Sequence, residues 1–379
     1  TGASISGPSR GPKSRVIYPA LVPLPPSHDG RGLVNLAAEI ETRLIGSAPS
    51  PRLSDPSPIP DADTYVLVLF DGLGVAQLGH PAAGRFSSDH AATLEAPFPT
   101  TTSVSMATLA TGLPPSRHGL VGHLVWLEEH DRVVNTLKWV DLTGAPVEHD
   151  HAGVLPRPNM WERLRAAGVE PITVQFDGFT GTPFSRVLYR GARFEGAWDV
   201  DDMARATVTL ASEPRRLIFT YYPAVDVAGH VTGLDTPEFE QAMTEAAMLW
   251  DRIASNLPPG VALLGTADHG LAAFPPDRKL IVDRDEYPGL RFAGDTRGVQ
   301  LWGDPTQMED FATATGGVLA DPAELIGPDP APVALRRLGE RVLLPPDDLA
   351  VIPGGFDKRL VCYHGGLSRA EVEIPLLVG

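Results

Sequence analysis

Six residues scattered along the chain have the types that hold metal ions. They are Asp71, Asp226, His230, Asp268, His269 and His364. Asp71 ends the apolar run "YVLVLF". Asp226 and His230 are four apart in "DVAGH". Asp268 and His269 are adjacent in "TADHG", and His364 lies between apolar sequence and two glycines in "YHGG". Three carboxylates and three imidazoles suffice for two zinc-like sites, each with three protein ligands and an open position. Two adjacent divalent ions can grip both the attacking and the leaving oxygen of a phosphoryl transfer. Each signal alone has a plainer reading. Asp-Gly after a strand makes a turn. Asp226 suits a helix start. His364 between a tyrosine and glycines suits a surface turn.

A seventh group of interest is "FPTTTSVSMATLATGL", residues 98–113. It reads as a loop running into a helix of small residues. The start of a helix offers free backbone N–H groups to an anion. A threonine there, activated by a metal, is a nucleophile for phosphorus. The alternative is that Thr100, Thr101 and Thr102 only cap the helix.

These residues need a scaffold that brings them together, and the periodicity supplies one. "TYVLVLFDG", "EPITVQFDG" (170–178), "RRLIFTYYP" (215–223) and "GVALLGTADHG" (260–270) read as buried strands. Between them lie helical patterns. "GLVNLAAEIETRLIG" (32–46) ends at Gly46, and "NMWERLRAAG" (159–168) ends at Gly168. "TPEFEQAMTEAAMLWDRIASNLPPG" (236–260) has Thr236 as cap, Pro237 in the first turn and a stripe of Phe239, Met243, Ala246, Trp250 and Ile253. Strands alternating with helices predict a mostly parallel sheet in an α/β/α sandwich. Ligands of such sheets bind beyond the carboxyl ends of the strands, where Asp71, Asp226 and Asp268 fall.

The 379 residues divide, on this reading, into an extended arm (1–30), an α/β core (31–276 and 351–379) and a smaller α+β cap or insertion (277–350). Hydrophobic residues are 43% of the chain, enough for a large core. The formal charge of −16 disfavours a long nucleic acid as partner. A small phosphorylated substrate remains compatible if cations sit in the site. The sequence has no run of 18 apolar residues for a membrane span, and its start lacks the apolar stretch of a secretory signal. The single cysteine, Cys362, permits no intrachain disulfide and suits a reducing compartment, so a cytoplasmic location is the expectation.

The motifs "LFDG", "PTTTSVSMATLATGLPPSRHG", "DVAGH", "TADHG" and "HGGLS", in that order, resemble the alkaline phosphatase superfamily. The resemblance is greatest to its nucleotide pyrophosphatase/phosphodiesterase branch, and phosphonoacetate hydrolases are similar too. It covers about residues 64–275 and 355–379. It implies an alkaline-phosphatase-like fold and a threonine nucleophile ten residues before Gly112, which is Thr102. It also implies one ion on Asp226, His230 and His364, and a second on Asp71, Asp268 and His269 with Thr102 as reactive ligand. The ions implied are zinc, with Mn or Fe as alternatives. The implied activity is hydrolysis of phosphodiester or phosphoanhydride bonds of small molecules such as nucleotides, through a phospho-threonine intermediate. Phosphomonoester or phosphonoacetate-type hydrolysis on the same fold is the alternative. A non-catalytic module that binds metal or phosphate is the alternative from another class.

The chain departs from the family pattern at one position. Where relatives carry an asparagine that holds a phosphoryl oxygen, it has Ser105, whose hydroxyl donates a single, shorter-reaching hydrogen bond. The sulfatase pattern Cys-x-Pro-x-Arg is absent. No arginine follows Thr102 closely, which favours diesters over the more charged monoesters. His118 and His123 read as loop structure, and "EHDH" (148–151) reads as a solvated acidic loop with metal binding as its alternative. Phe176, Tyr221 and Tyr222 read as core or rim residues, with base stacking as the alternative. Cys362 reads as a buried strand residue.

Overall fold

The computed structural model describes residues 25–379. Most of the expected arm, residues 1–24, lies outside the described residues.

The principal sheet has seven strands: β1 (Thr64–Phe70), β2 (His90–Glu95), β3 (Glu170–Phe176), β4 (Arg193–Ala197), β5 (Arg216–Tyr222), β6 (Val261–Thr266) and β7 (Glu373–Val378). Their spatial order is β2-β7-β6-β1-β5-β3-β4. The five strands from β6 to β4 are parallel. The C-terminal strand β7 runs antiparallel to both β6 and β2. Every residue of β1 is buried, as expected of a central strand covered on both faces. The four strands anticipated from apolar runs are β1, β3, β5 and β6, within four residues at their ends.

Two groups of helices accompany the sheet. In one, α1 (Leu33–Ile45), α2 (Thr102–Thr111) and α3 (Met160–Ala166) pack on one another. In the other, α4 (Val200–Leu210) and α5 (Ala224–Val231) each pack on α6 (Pro237–Asn256). The caps match the sequence signals. Gly46 closes α1 in the left-handed conformation, Asn159 and Glu162 form a capping box on α3, and Thr236 accepts the Phe239 N–H at the start of α6. The stripe Phe239, Met243, Ala246, Trp250 and Ile253 is fully buried. The fold is therefore α/β with a mostly parallel central sheet.

A second seven-stranded sheet is antiparallel throughout. Its spatial order is Val318–Ala320, Arg341–Leu344, Gly298–Gly303, Leu290–Asp295, Leu124–Leu127, Arg132–Asn135 and Val140–Asp141. The insertion anticipated at 277–350 thus supplies only four of its strands. The other three come from residues 124–141, inside the segment expected to belong wholly to the core. Their register is set by a single ladder position, Gly294 opposite Leu124. Their short strands carry no signal that distinguishes core from insertion.

Candidate metal centre

The strand order explains the first convergence. β6, β1 and β5 are neighbours, so the residues beyond their carboxyl ends share one rim. Asp71 follows β1 directly. Its N–H donates to Tyr222 O of β5, and its carbonyl accepts the Asp226 N–H. Asp226 and His230 lie on α5, one turn apart, with His230 Nε2 3.3 Å from Asp226 Oδ1. Asp268 and His269 follow β6. His364 arrives from the far end of the chain. The short antiparallel pairing of Ala272 with Tyr363 delivers it, and its Nδ1 donates to Thr100 O at 2.9 Å.

The six residues form two adjacent trios. In each, the potential ligand atoms lie within 4.8 Å of one another: Asp226, His230 and His364 in one, Asp71, Asp268 and His269 in the other. The second trio is wholly buried. His269 Nε2 is 3.3 Å from Asp268 Oδ2 and 3.6 Å from Asp71 Oδ1. The His269 and His364 rings stack at 3.8 Å between centroids and join the trios. His230 Nδ1 donates to Cys362 O at 2.7 Å, which fixes the tautomer that frees Nε2 toward Asp226.

Electrostatics make this an unstable arrangement without cations. Burial, with Asp268 and Asp226 nearby, holds the Asp71 carboxyl well above the usual carboxylate range. Burial also raises Asp226. Burial and the facing His269, His230 and His123 rings push His364 well below the usual imidazole value. One oxygen of each carboxylate, Asp71 Oδ1, Asp226 Oδ1 and Asp268 Oδ2, is buried without a hydrogen-bond partner. An orphaned buried carboxylate oxygen costs on the order of 1–3 kcal/mol or more. Three of them, interleaved with three imidazoles, fit divalent ions, whose charge would offset that cost.

Thr102 is the first residue of α2, and its Oγ1 is 3.2 Å from His269 Nε2. The helix cap is Thr101, and no side chain caps it, so Thr102 has no capping duty. Thr100 instead braces the His364 loop: its hydroxyl donates to Gly366 O and accepts the Gly365 N–H. α2 itself is buried on every side. Its polar residues fit because Thr108 and Thr111 return their hydroxyl protons to the carbonyls of Val104 and Ala107.

The phosphate contact expected of Ser105 is not what the structure presents. Ser105 is completely buried and donates its hydroxyl to Asp268 O at 2.7 Å. It fixes the backbone of a trio member, because the side chain is too short to leave the helix surface. Two participants escaped sequence reasoning. Tyr221 donates its hydroxyl to Asp71 Oδ2, and its place in the "FTYYP" run gave no hint of that. His123 lines a cavity of about 200 Å³ together with His230, His364, Asn135, Asp295 and Asp357. Burial pushes His123 down to about 4, and its Nε2 accepts from Asn135 Nδ2 at 3.0 Å. His118, read as loop, instead ends the short helix Pro115–His118 and is buried against Thr108, and Tyr222 is core: its hydroxyl donates to Glu245 Oε2.

The model of the type I phosphodiesterase / nucleotide pyrophosphatase family matches residues 65–289, the span that carries five of the six trio residues and Thr102. The chain belongs to that family. Its members are metal-dependent phosphoester hydrolases, and a small-molecule substrate fits it. No curated protein matches the chain. Among solved structures, murine ectonucleotide pyrophosphatase / phosphodiesterase 5 is similar with a TM-score of 0.62 at 17% identity, over 82% of this chain and 87% of that one. An inactive form of that protein in complex with AMP is similar at 0.61 and 16%, with the same coverage. Phosphonoacetate hydrolase from Sinorhizobium meliloti 1021, in complex with phosphonoacetate, is similar at 0.62 and 17%, over 86% of this chain and 92% of that one. These likenesses establish a shared fold. Among the described residues, no helix of this family member is long and apolar enough to cross a membrane.

Proposed function

We propose that the chain hydrolyses phosphodiester or phosphoanhydride bonds of small molecules such as nucleotides, with Thr102 as nucleophile and two divalent ions, zinc foremost, in the two trios. The observation that carries this reading is the orphaned oxygen on each of three buried carboxylates, gathered beside the Thr102 hydroxyl, which lies 3.2 Å from His269 Nε2. Asp226, His230 and His364 hold one ion; Asp71, Asp268 and His269 hold the other. Bound ions supply positive charge that lowers the threonine pKa and stabilises phosphoryl oxygens. Thr102 gives up its hydroxyl proton to solvent and reacts as its alkoxide. A bond forms from Oγ1 to phosphorus, the bond to the leaving oxygen breaks, and the electron pair departs with that oxygen. Water then attacks the phospho-threonine, the P–Oγ1 bond breaks, and Thr102 regains its proton.

The cavity beside His230 and His364 favours this over the phosphonoacetate reading. Its lining carries Asp295 and Asp357 and no lysine or arginine, so a carboxylate-bearing leaving group meets no cationic side chain there. That solved AMP complex of a protein with this fold supports a nucleotide as the first substrate to try.

Thr102→Ala is expected to lower turnover of bis-p-nitrophenyl phosphate by about three orders of magnitude, with metal content unchanged by elemental analysis. Unchanged turnover would remove Thr102 from the mechanism. Faster hydrolysis of p-nitrophenyl phosphate or phosphonoacetate than of the diester would overturn the substrate class.

A further inference from the structure

A third group of ligand-type side chains meets outside the two trios. Glu129 and His130 lie on the 3₁₀ turn Glu128–His130, which follows the strand Leu124–Leu127 of the second sheet. His149 comes from the loop ahead of the turn His151–Gly153. Their potential ligand atoms lie within 4.8 Å of one another. His130 Nε2 and His149 Nδ1 are 3.1 Å apart. Two imidazole nitrogens on one tetrahedral ion, each at 2.0–2.1 Å, stand about 3.3 Å apart. The contact is a ring-to-ring hydrogen bond here, and its spacing is also that of a ligand pair, so an ion would replace the shared proton with little movement of the rings.

The surroundings hold the pair in place. Trp139 is 3% exposed, and its ring stacks on His149 with centroids 4.9 Å apart and planes 16° from parallel. Face-to-face stacking fixes the imidazole plane and leaves its edge nitrogens available. Trp139 packs edge-on against His151 from the same loop, and His151 Nε2 is buried without a hydrogen-bond partner. An open cavity of about 430 Å³, lined by His149, His151, Arg186 and Arg190 among others, lies beside the group.

We propose that Glu129, His130 and His149 form a third divalent metal site, independent of the two trios. Two imidazoles and one carboxylate select zinc, nickel or copper over calcium or magnesium, which want oxygen ligands. Three protein ligands leave a fourth position for water or an anion from the neighbouring cavity. The ion ties the Glu128–His130 turn to the 148–151 loop. The acidic loop that reads from sequence as solvated is thus half of a site whose other half lies twenty residues earlier.

The test counts zinc in the full-length protein after saturation and dialysis. The wild type is expected to retain one more zinc per chain than the His130→Ala/His149→Ala double variant. Both should hydrolyse the diester at the same rate. Because only the difference is scored, the outcome does not depend on how many ions the trios hold. Equal zinc in the two proteins overturns the site. Glu129 is exposed, so Glu129→Gln leaves folding undisturbed. It is expected to weaken the extra zinc at least tenfold in a chelator competition, and an unchanged affinity would equally overturn the proposal.

Discussion

Burial acts on individual histidines here in ways that a titration can read. His118 is completely buried; its Nδ1 accepts the Leu120 N–H and its Nε2 donates to Thr108 Oγ1 at 3.0 Å. Desolvation drops it from 6.5 to about 3. The unfolded chain takes up that proton below pH 6.5, while the folded protein refuses it until about pH 3. Stability therefore falls as pH falls through this window, by about 1.4 kcal/mol per unit for this one group. In the metal-free protein, His118→Gln should reduce the slope of stability against pH between 4 and 6 by about one proton, measured by urea denaturation. An unchanged slope would mean that His118 is protonated in the fold. At this scale the sequence was partly legible. The six trio residues and Thr102 are identifiable by type and motif. Ser105 and Tyr221 are not, because whether a hydroxyl faces a ligand or a neighbouring backbone depends on which surface buries it.

At the scale of elements, close backbone approach behind His269 sets a requirement that periodicity does not reveal. Gly270 donates its N–H to Glu371 O, and a Cβ on Gly270 would lie 2.0 Å from Ala370 O and 3.1 Å from Gly74 Cα. Backbone atoms on both sides cannot rotate away. Gly270→Ala is expected to cost about 1–3 kcal/mol of stability and to weaken metal retention and diester turnover together, since His269 is the preceding residue. Gly79→Ala, with nothing within 4 Å of the added carbon, is the control and should match the wild type. A Gly270→Ala protein that is as stable and active as the control would show that the C-terminal turn yields freely. The helices α1, α3 and α6 and the strands β1, β3, β5 and β6 were legible, because caps and apolar stripes are local signals, whereas β2, β4, α4 and the strands of residues 124–141 gave no such signal. α2 is the exception in kind: it is buried all round, and only its motif marked it.

For the whole molecule, one buried ion pair joins the two sheets near the site. Arg297 sits at the turn between Leu290–Asp295 and Gly298–Gly303, and Glu371 lies just before β7. Both are buried, with Arg297 Nη2 3.3 Å from Glu371 Oε2. Arg297 also donates to Pro346 O and Leu349 O, and Glu371 accepts the Gly366 N–H in the loop that carries His364. Removing one partner strands the other charge. Glu371→Ala is expected to cost about 3–5 kcal/mol in urea denaturation, whereas the Arg297→Met/Glu371→Met pair should recover much of that loss. If Glu371→Ala unfolds at the wild-type midpoint, the pair does not couple the sheets.

Sequence alone determined the alternation of strands and helices and the identity of the metal-binding candidates. Both follow from local chemistry: apolar runs must be buried, and carboxylate and imidazole types are visible one residue at a time. Tertiary structure decided the rest. The adjacency of β6, β1 and β5 brings Asp71, Asp226 and Asp268 to one rim, and only a strand order can do that. The second sheet draws Leu124–Leu127 and its neighbours from outside 277–350, through pairings that span more than 160 residues. Glu129 and His130 meet His149 across only about twenty residues, through the local meander of Arg132–Asn135 and Val140–Asp141. Contacts between distant segments depend on how the whole chain closes, and no local pattern records them.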